Sequence, residues 1–72
     1  MNKRLIELDT IYADVLPKMT IEERITYCES LIKTTGAFLA KNELFLNKNI
    51  KAKSNDIIFA AEQEIKELKK II

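Results

Sequence analysis

Residues 44–58 read LFLNKNIKAKSNDII, and the place where the chain reverses within them decides what lies on either side. Asparagine and lysine crowd positions 47–55, which therefore read as a polar turn. Ser54 or Asn55 can then cap the next helix, with Asp56 in its first turn complementing the helix dipole. Upstream, Ile25, Cys28, Ile32, Leu39 and Leu46 keep a seven-residue rhythm. This predicts a helix over 21–46 of about 26 residues, roughly 39 Å long. Downstream, Ile58, Ala61, Ile65, Leu68 and Ile72 fall on one stripe of a helix over 56–72. The position numbers of Leu46 and Ile58, of Leu39 and Ile65, and of Ile32 and Ile72 each total 104. An antiparallel hairpin turning near residue 52 requires such a constant, so from Cys28 to Ile72 these two stripes form the predicted seam.

The flanking signals agree with a helical chain. TIEE at 20–23 places Thr20 as N-cap and Glu23 at the third helical position, a capping box. TTG at 34–36 lowers helix propensity, glycine by about 1 kcal/mol relative to alanine. The apolar phase nevertheless runs from Ile32 through Thr35 to Leu39, so one helix with a soft spot is expected. Before it, Leu5, Leu8, Tyr12 and Val15 share one face of a helix over 3–16, which Pro17 ends. The expectation is an all-α single domain over 1–72, a short N-terminal helix followed by a long antiparallel helical hairpin.

Beside the seam lies a second ridge: Tyr27, Leu31, Phe38 and Phe45 on the first long helix, Ile57, Ala60 and Ile71 on the second. Two helices in contact cannot cover both ridges. The N-terminal helix should cover part of the second, leaving the remainder as a candidate partner-binding groove or as ordinary three-helix core. In this register Ile72 closes the seam against Ile32, and Ile71 lies near Leu31.

Composition narrows function by exclusion. A chain of 72 residues buries only about 60% of its unfolded surface. Small domains compensate with disulfides, metals or association. The single cysteine, Cys28, forbids an internal disulfide, and with no histidine there is no recognisable metal or cofactor site. Association remains. The missing histidine and the single glycine also remove catalytic triads and glycine-rich phosphate loops. Cys28 reads as a small inward hydrophobe, the Glu22-Glu23 and Glu62-Glu64 pairs as helix-surface charges, and Tyr12 and Tyr27 as core-rim residues. An enzyme is not expected.

Twelve basic and eleven acidic residues are interspersed to a net +1, which argues against a nucleic-acid groove binder. The local excess is Lys41, Lys48, Lys51 and Lys53 against Glu43. It reads as a solvated loop before phosphate binding. Acidic residues interrupt the N-terminal apolar stretch, and the longest apolar run, Ile57 to Ala61, is far below the roughly 20 residues of a membrane span. A free cysteine without an export signal places the expected location in the cytosol.

TIEERITYCESLIKTTGAFLAKNE (20–43) and FAAEQEIKELKKII (59–72) together resemble the small E-type co-chaperones of type III secretion needle subunits. The resemblance is carried most by the alanine, glutamate and glutamine start and isoleucine-rich finish of AAEQEIKELKKII. It covers about three quarters of the chain, although KAKSNDI and TTG depart from the family pattern. It implies a helical hairpin that joins a tetratricopeptide-like, helical-repeat chaperone to hold a secreted needle subunit unpolymerised. The family has no catalytic or ligand motif, so no site residue carries over. Two alternatives stay open beside it: a mobile-element regulator acting on nucleic acid or on a DNA-binding host protein, and a self-associating homo-oligomeric bundle.

Overall fold

The computed structural model describes residues 3–71. Among them the chain is all-α, with a long helix pair forming a hairpin. The elements are α1 (Leu5–Leu8), α2 (Thr10–Val15), a 3-10 turn (Leu16–Lys18), α3 (Ile21–Lys41), a second 3-10 turn (Glu43–Phe45) and α4 (Lys48–Ile71).

The expected N-terminal helix is two helices, and Asp9 divides them. Its backbone is extended at φ −122° and ψ 100°, and its Oδ1 accepts the Tyr12 backbone N–H at 3.1 Å. Asp9 is thus an N-cap in mid-segment, and aspartate gains more as a cap than inside a helix. At the start of α1, the Arg4 backbone N–H donates to Glu7 Oε2 at 3.0 Å.

The box at the start of α3 forms in both directions. The Glu23 N–H donates to Thr20 Oγ1 at 3.1 Å and the Thr20 N–H to Glu23 Oε1 at 2.8 Å. The helix then passes unbroken through Thr34, Thr35 and Gly36. A Cβ added at Gly36 would meet nothing within 4 Å, so no contact inside the chain requires glycine there.

The turn is not where the sequence placed it. The first long helix ends at Lys41 rather than 46, and residues predicted as turn, 48–55, are the opening turns of α4. Two asparagines set these limits. Asn42 leaves the helical region and donates from its side chain to the Phe38 carbonyl at 3.0 Å. Asn47 Oδ1 accepts the Ile50 N–H at 2.9 Å and so caps α4. Lys48, Lys51, Ala52 and Lys53, which follow Asn47, are good helix formers. Ser54 and Asn55, expected to cap, lie in mid-helix, Ser54 on the buried face.

The register moves with the turn. Arg24 Nη2 meets Glu64 Oε2 at 2.8 Å, and those position numbers total 88, not 104. The inward stripe of α4 is Ser54, Ile57, Ala61, Glu64 and Leu68, at alternating steps of three and four. Ile71 stands seven residues beyond Glu64, about 10 Å along the axis, and is 65% exposed, whereas Leu31 packs against the core. Ile72, expected to close the seam, lies outside the described residues.

The core gathers where α1 and α2 fold back on the hairpin. Leu5, Tyr12, Cys28, Ala60 and Ala61 are buried together, with Leu8, Leu16, Met19, Tyr27, Leu31, Ile32, Ile57 and Ile65 packed around them. Two alanines at the helix contact let the N-terminal segment approach α4 closely, and Leu5 and Tyr12 fill the space.

Candidate functional site

The hairpin has two unlike regions. The first is a polar cluster inside the core, centred on Glu64, a residue expected on the surface but only 4% exposed. Tyr12 Oη donates to Glu64 Oε2 at 2.5 Å, and Arg24 Nη2 donates to the same oxygen at 2.8 Å. Arg24 Nε also donates to Tyr12 Oη at 3.1 Å, and Arg4 Nη2 lies 3.5 Å from Glu64 Oε1. Beside it, Tyr27 Oη donates to Asp9 Oδ2 at 2.8 Å, and the two tyrosine rings pack with centroids 5.1 Å apart. All four carboxylate oxygens of Asp9 and Glu64 are therefore engaged inside the chain. The cluster ties α1, α2, α3 and α4 at one level.

Its electrostatics follow from that geometry. Burial alone would raise the Glu64 carboxyl, but hydrogen bonds from Tyr12 and Arg24, with the charges of Arg24 and Arg4, hold it below its ordinary value. Burial opposes the Arg24 charge, yet its bonds to Tyr12 and Glu64 prevail and its pKa rises. Burial and the bond to Glu64 push the Tyr12 phenol up, and burial and the bond to Asp9 push Tyr27 up to about 12. Burial, then the charge of Glu64, pushes the Cys28 thiol up to about 11.

These shifts predict a plateau of stability with two edges. The lowered Glu64 contributes above the unfolded carboxylate value, about 4.3, and its contribution is lost as pH falls through its folded pKa. The raised tyrosines contribute below their unfolded value, about 10, and the contribution of Tyr27 is lost as pH rises towards about 12. Thermal melts from acid to alkali should show Tm falling at both edges, with Tyr12→Phe and Tyr27→Phe together flattening the alkaline edge. An alkaline edge unchanged in the double variant would contradict the assignment.

The second region is the turn end of the hairpin, which the core leaves uncovered. Leu44 is 92% exposed, Phe45 87%, Phe38 46% and Ile50 41%. Between the ends of α3 and α4 an open groove of ≈ 400 Å³ is lined by Gly36, Leu39, Ala40, Glu43, Lys51 and Asn55.

The sequence-predicted residues divide between these regions. Of the seam, Cys28, Ala61 and Leu68 are buried, while Ile32, Leu39, Leu46, Ile58 and Ile65 are half-buried. Of the second ridge, Ala60 is core rather than docking surface, and Tyr27, Leu31 and Ile57 pack against the core. Only Phe38, Phe45 and Ile71 of that ridge are left exposed. Leu44 and Ile50 were missed because neither falls on a heptad stripe; the signal for them is their position beside the two asparagine caps.

Among the described residues no three of His, Cys, Asp and Glu gather as metal ligands, and no helix is long and apolar enough to cross a membrane. No protein-family model, curated protein or solved structure matches the chain.

Proposed function

We propose that this chain is a small helical protein-binding module whose docking surface is the turn end of its hairpin. The observation that supports it is the exposure of Phe38, Leu44, Phe45 and Ile50 in and beside the turn, Leu44 and Phe45 being the most exposed large hydrophobics among the described residues, with Ile6, Ile11, Phe59 and Ile71 exposed elsewhere. Each such side chain gains about 1.5–3 kcal/mol when fully buried, so covering Leu44 and Phe45 alone would contribute substantially to a complex. Within that reading, the resemblance to E-type co-chaperones makes the partner a helical-repeat chaperone in the cytosol, with the needle subunit held unpolymerised by the pair.

The test is reconstitution with the needle subunit and helical-repeat chaperone encoded in the same genome. The three chains are expected to co-elute from a sizing column. The Leu44→Ser/Phe45→Ser variant should keep the wild-type circular dichroism and Tm while dropping out of the complex. A genome without such genes, or a variant that still co-elutes, would remove the co-chaperone reading. Concentration-dependent dimers abolished by the same variant would favour the self-associating bundle, and salt-sensitive binding of duplex DNA would favour the nucleic-acid regulator.

A further inference from the structure

The docking surface is not only apolar. Lys41, Lys48, Lys51 and Lys53 against Glu43 give residues 41–55 a formal +3, so the rest of this +1 chain carries −2. None of the four lysines forms a salt bridge among the described residues. Their charges join no ion pair that holds the fold. Lys48 opens α4, whose first turn holds no acidic residue, although a cation beside a helix N-terminus is unfavourable by roughly 0.3–1 kcal/mol. Lys41 and Lys48, near the turn in sequence, and the positive end of α4 thus add a positive potential beside Leu44, Phe45 and Ile50; Lys51 lines the groove together with Glu43, while Lys53 lines a separate hollow with Leu8 and Asp56.

We infer that the groove takes an amphipathic helix whose large apolar side chains are flanked by aspartate or glutamate. The inference rests on the protein-binding reading above and specifies its partner by charge complementarity. A helix fits better than the other anionic candidates. An anionic lipid surface would fill no concave groove. A nucleic-acid strand would find no arginine and only one aromatic residue, Phe45, between 41 and 55, where stacking and bidentate contacts need them. Gly36 and Ala40, which line the groove with Leu39, carry little or no side chain, and the space at the Gly36 Cβ position is open, which leaves room for a second helix to pack closely.

The experiment is a selection against the immobilised full chain. The library displays amphipathic helical peptides with one fixed apolar face and flanking positions varied among glutamate, glutamine and lysine. Phosphatidylserine–phosphatidylcholine vesicles and duplex DNA serve as parallel arms. Glutamate-flanked peptides should be enriched, and their binding should weaken by at least about tenfold with Phe45→Ser, with Lys48→Glu/Lys51→Glu, and in high salt. Lys48→Glu puts an acid in the first turn of α4, so the fold is not expected to suffer; circular dichroism checks this. Enrichment of neutral or lysine-flanked peptides, or indifference to charge reversal while Phe45→Ser still weakens binding, would overturn the inference and leave the protein-binding reading standing. Binding untouched by Phe45→Ser, or no enrichment at all, would overturn both. Vesicles or DNA bound more tightly than any peptide would also overturn it, in favour of that surface.

Discussion

Replacing Arg24 by alanine is expected to cost about 3–5 kcal/mol, the penalty of stranding one member of a buried ion pair. A domain of this length has roughly 4–11 kcal/mol in total, so the variant should lose most of its stability and unfold at low urea. The reason is the crowding of partners around one carboxylate. Arg24 reaches Glu64 through Nη2 and Tyr12 through Nε in a single fork, while Arg4, mostly exposed at the rim, meets only the other oxygen. Lysine cannot replace it, because a point ammonium does not present two donors in fixed geometry. The informative comparison is Arg24→Leu/Glu64→Leu/Tyr12→Phe, which removes the whole polar set together. It should recover much of the loss, since apolar replacement of a buried ion pair is often neutral or stabilising. If Arg24→Ala unfolds at the wild-type urea midpoint, the cluster is not holding the fold.

Glu64 also explains why the all-α hairpin was legible in the sequence while its register was not. Apolar periodicity, the Thr20–Glu23 box and the scarcity of glycine and proline identify helices correctly, because those signals are local. Register depends on which residues face inward, and α4 turns Ser54 and Glu64 to the inside. A purely apolar stripe drawn through Ile58 and Ile65 shares Ala61 and Leu68 with that face but takes the flank beside Ser54 and Glu64, a rotation of roughly 40°. Partners 40 and 52 residues away in sequence hold Glu64 inside, and nothing near it in sequence announces Arg24 or Tyr12. The turn was displaced for a related reason. Asn42 and Asn47 act as a stop and a start, whereas lysine and asparagine taken as composition smear that punctuation over nine positions. Ending α3 at Lys41 is what leaves Leu44 and Phe45 outside the long helix and exposed.

Removal of the Tyr12 ring is expected to produce a loss of similar size, and Cys28 supplies the reporter. Tyr12 is wholly buried and its ring packs on Tyr27, so Tyr12→Ala should cost about 3–5 kcal/mol, as for other large aromatics. Tyr12→Phe keeps the ring and removes only the hydroxyl bonds to Glu64 and Arg24, at about 1–3 kcal/mol for the partners left behind. Cys28 lies in the same layer at 0% exposure, with its thiol pushed up to about 11. At pH 8 burial and a thiolate fraction of about one in a thousand therefore both protect it. Labelling by a maleimide must then wait for the N-terminal segment to lift, and its rate follows the population of that opened form. Tyr12→Phe should accelerate labelling by about tenfold and Tyr12→Ala by a hundredfold or more, about 1.4 kcal/mol corresponding to each factor of ten. Leu44→Ser/Phe45→Ser, at the far end of the hairpin, should leave the rate unchanged. Rapid labelling of the wild-type chain, or equal rates in all four proteins, would show that α1 and α2 do not hold the closed position over Cys28.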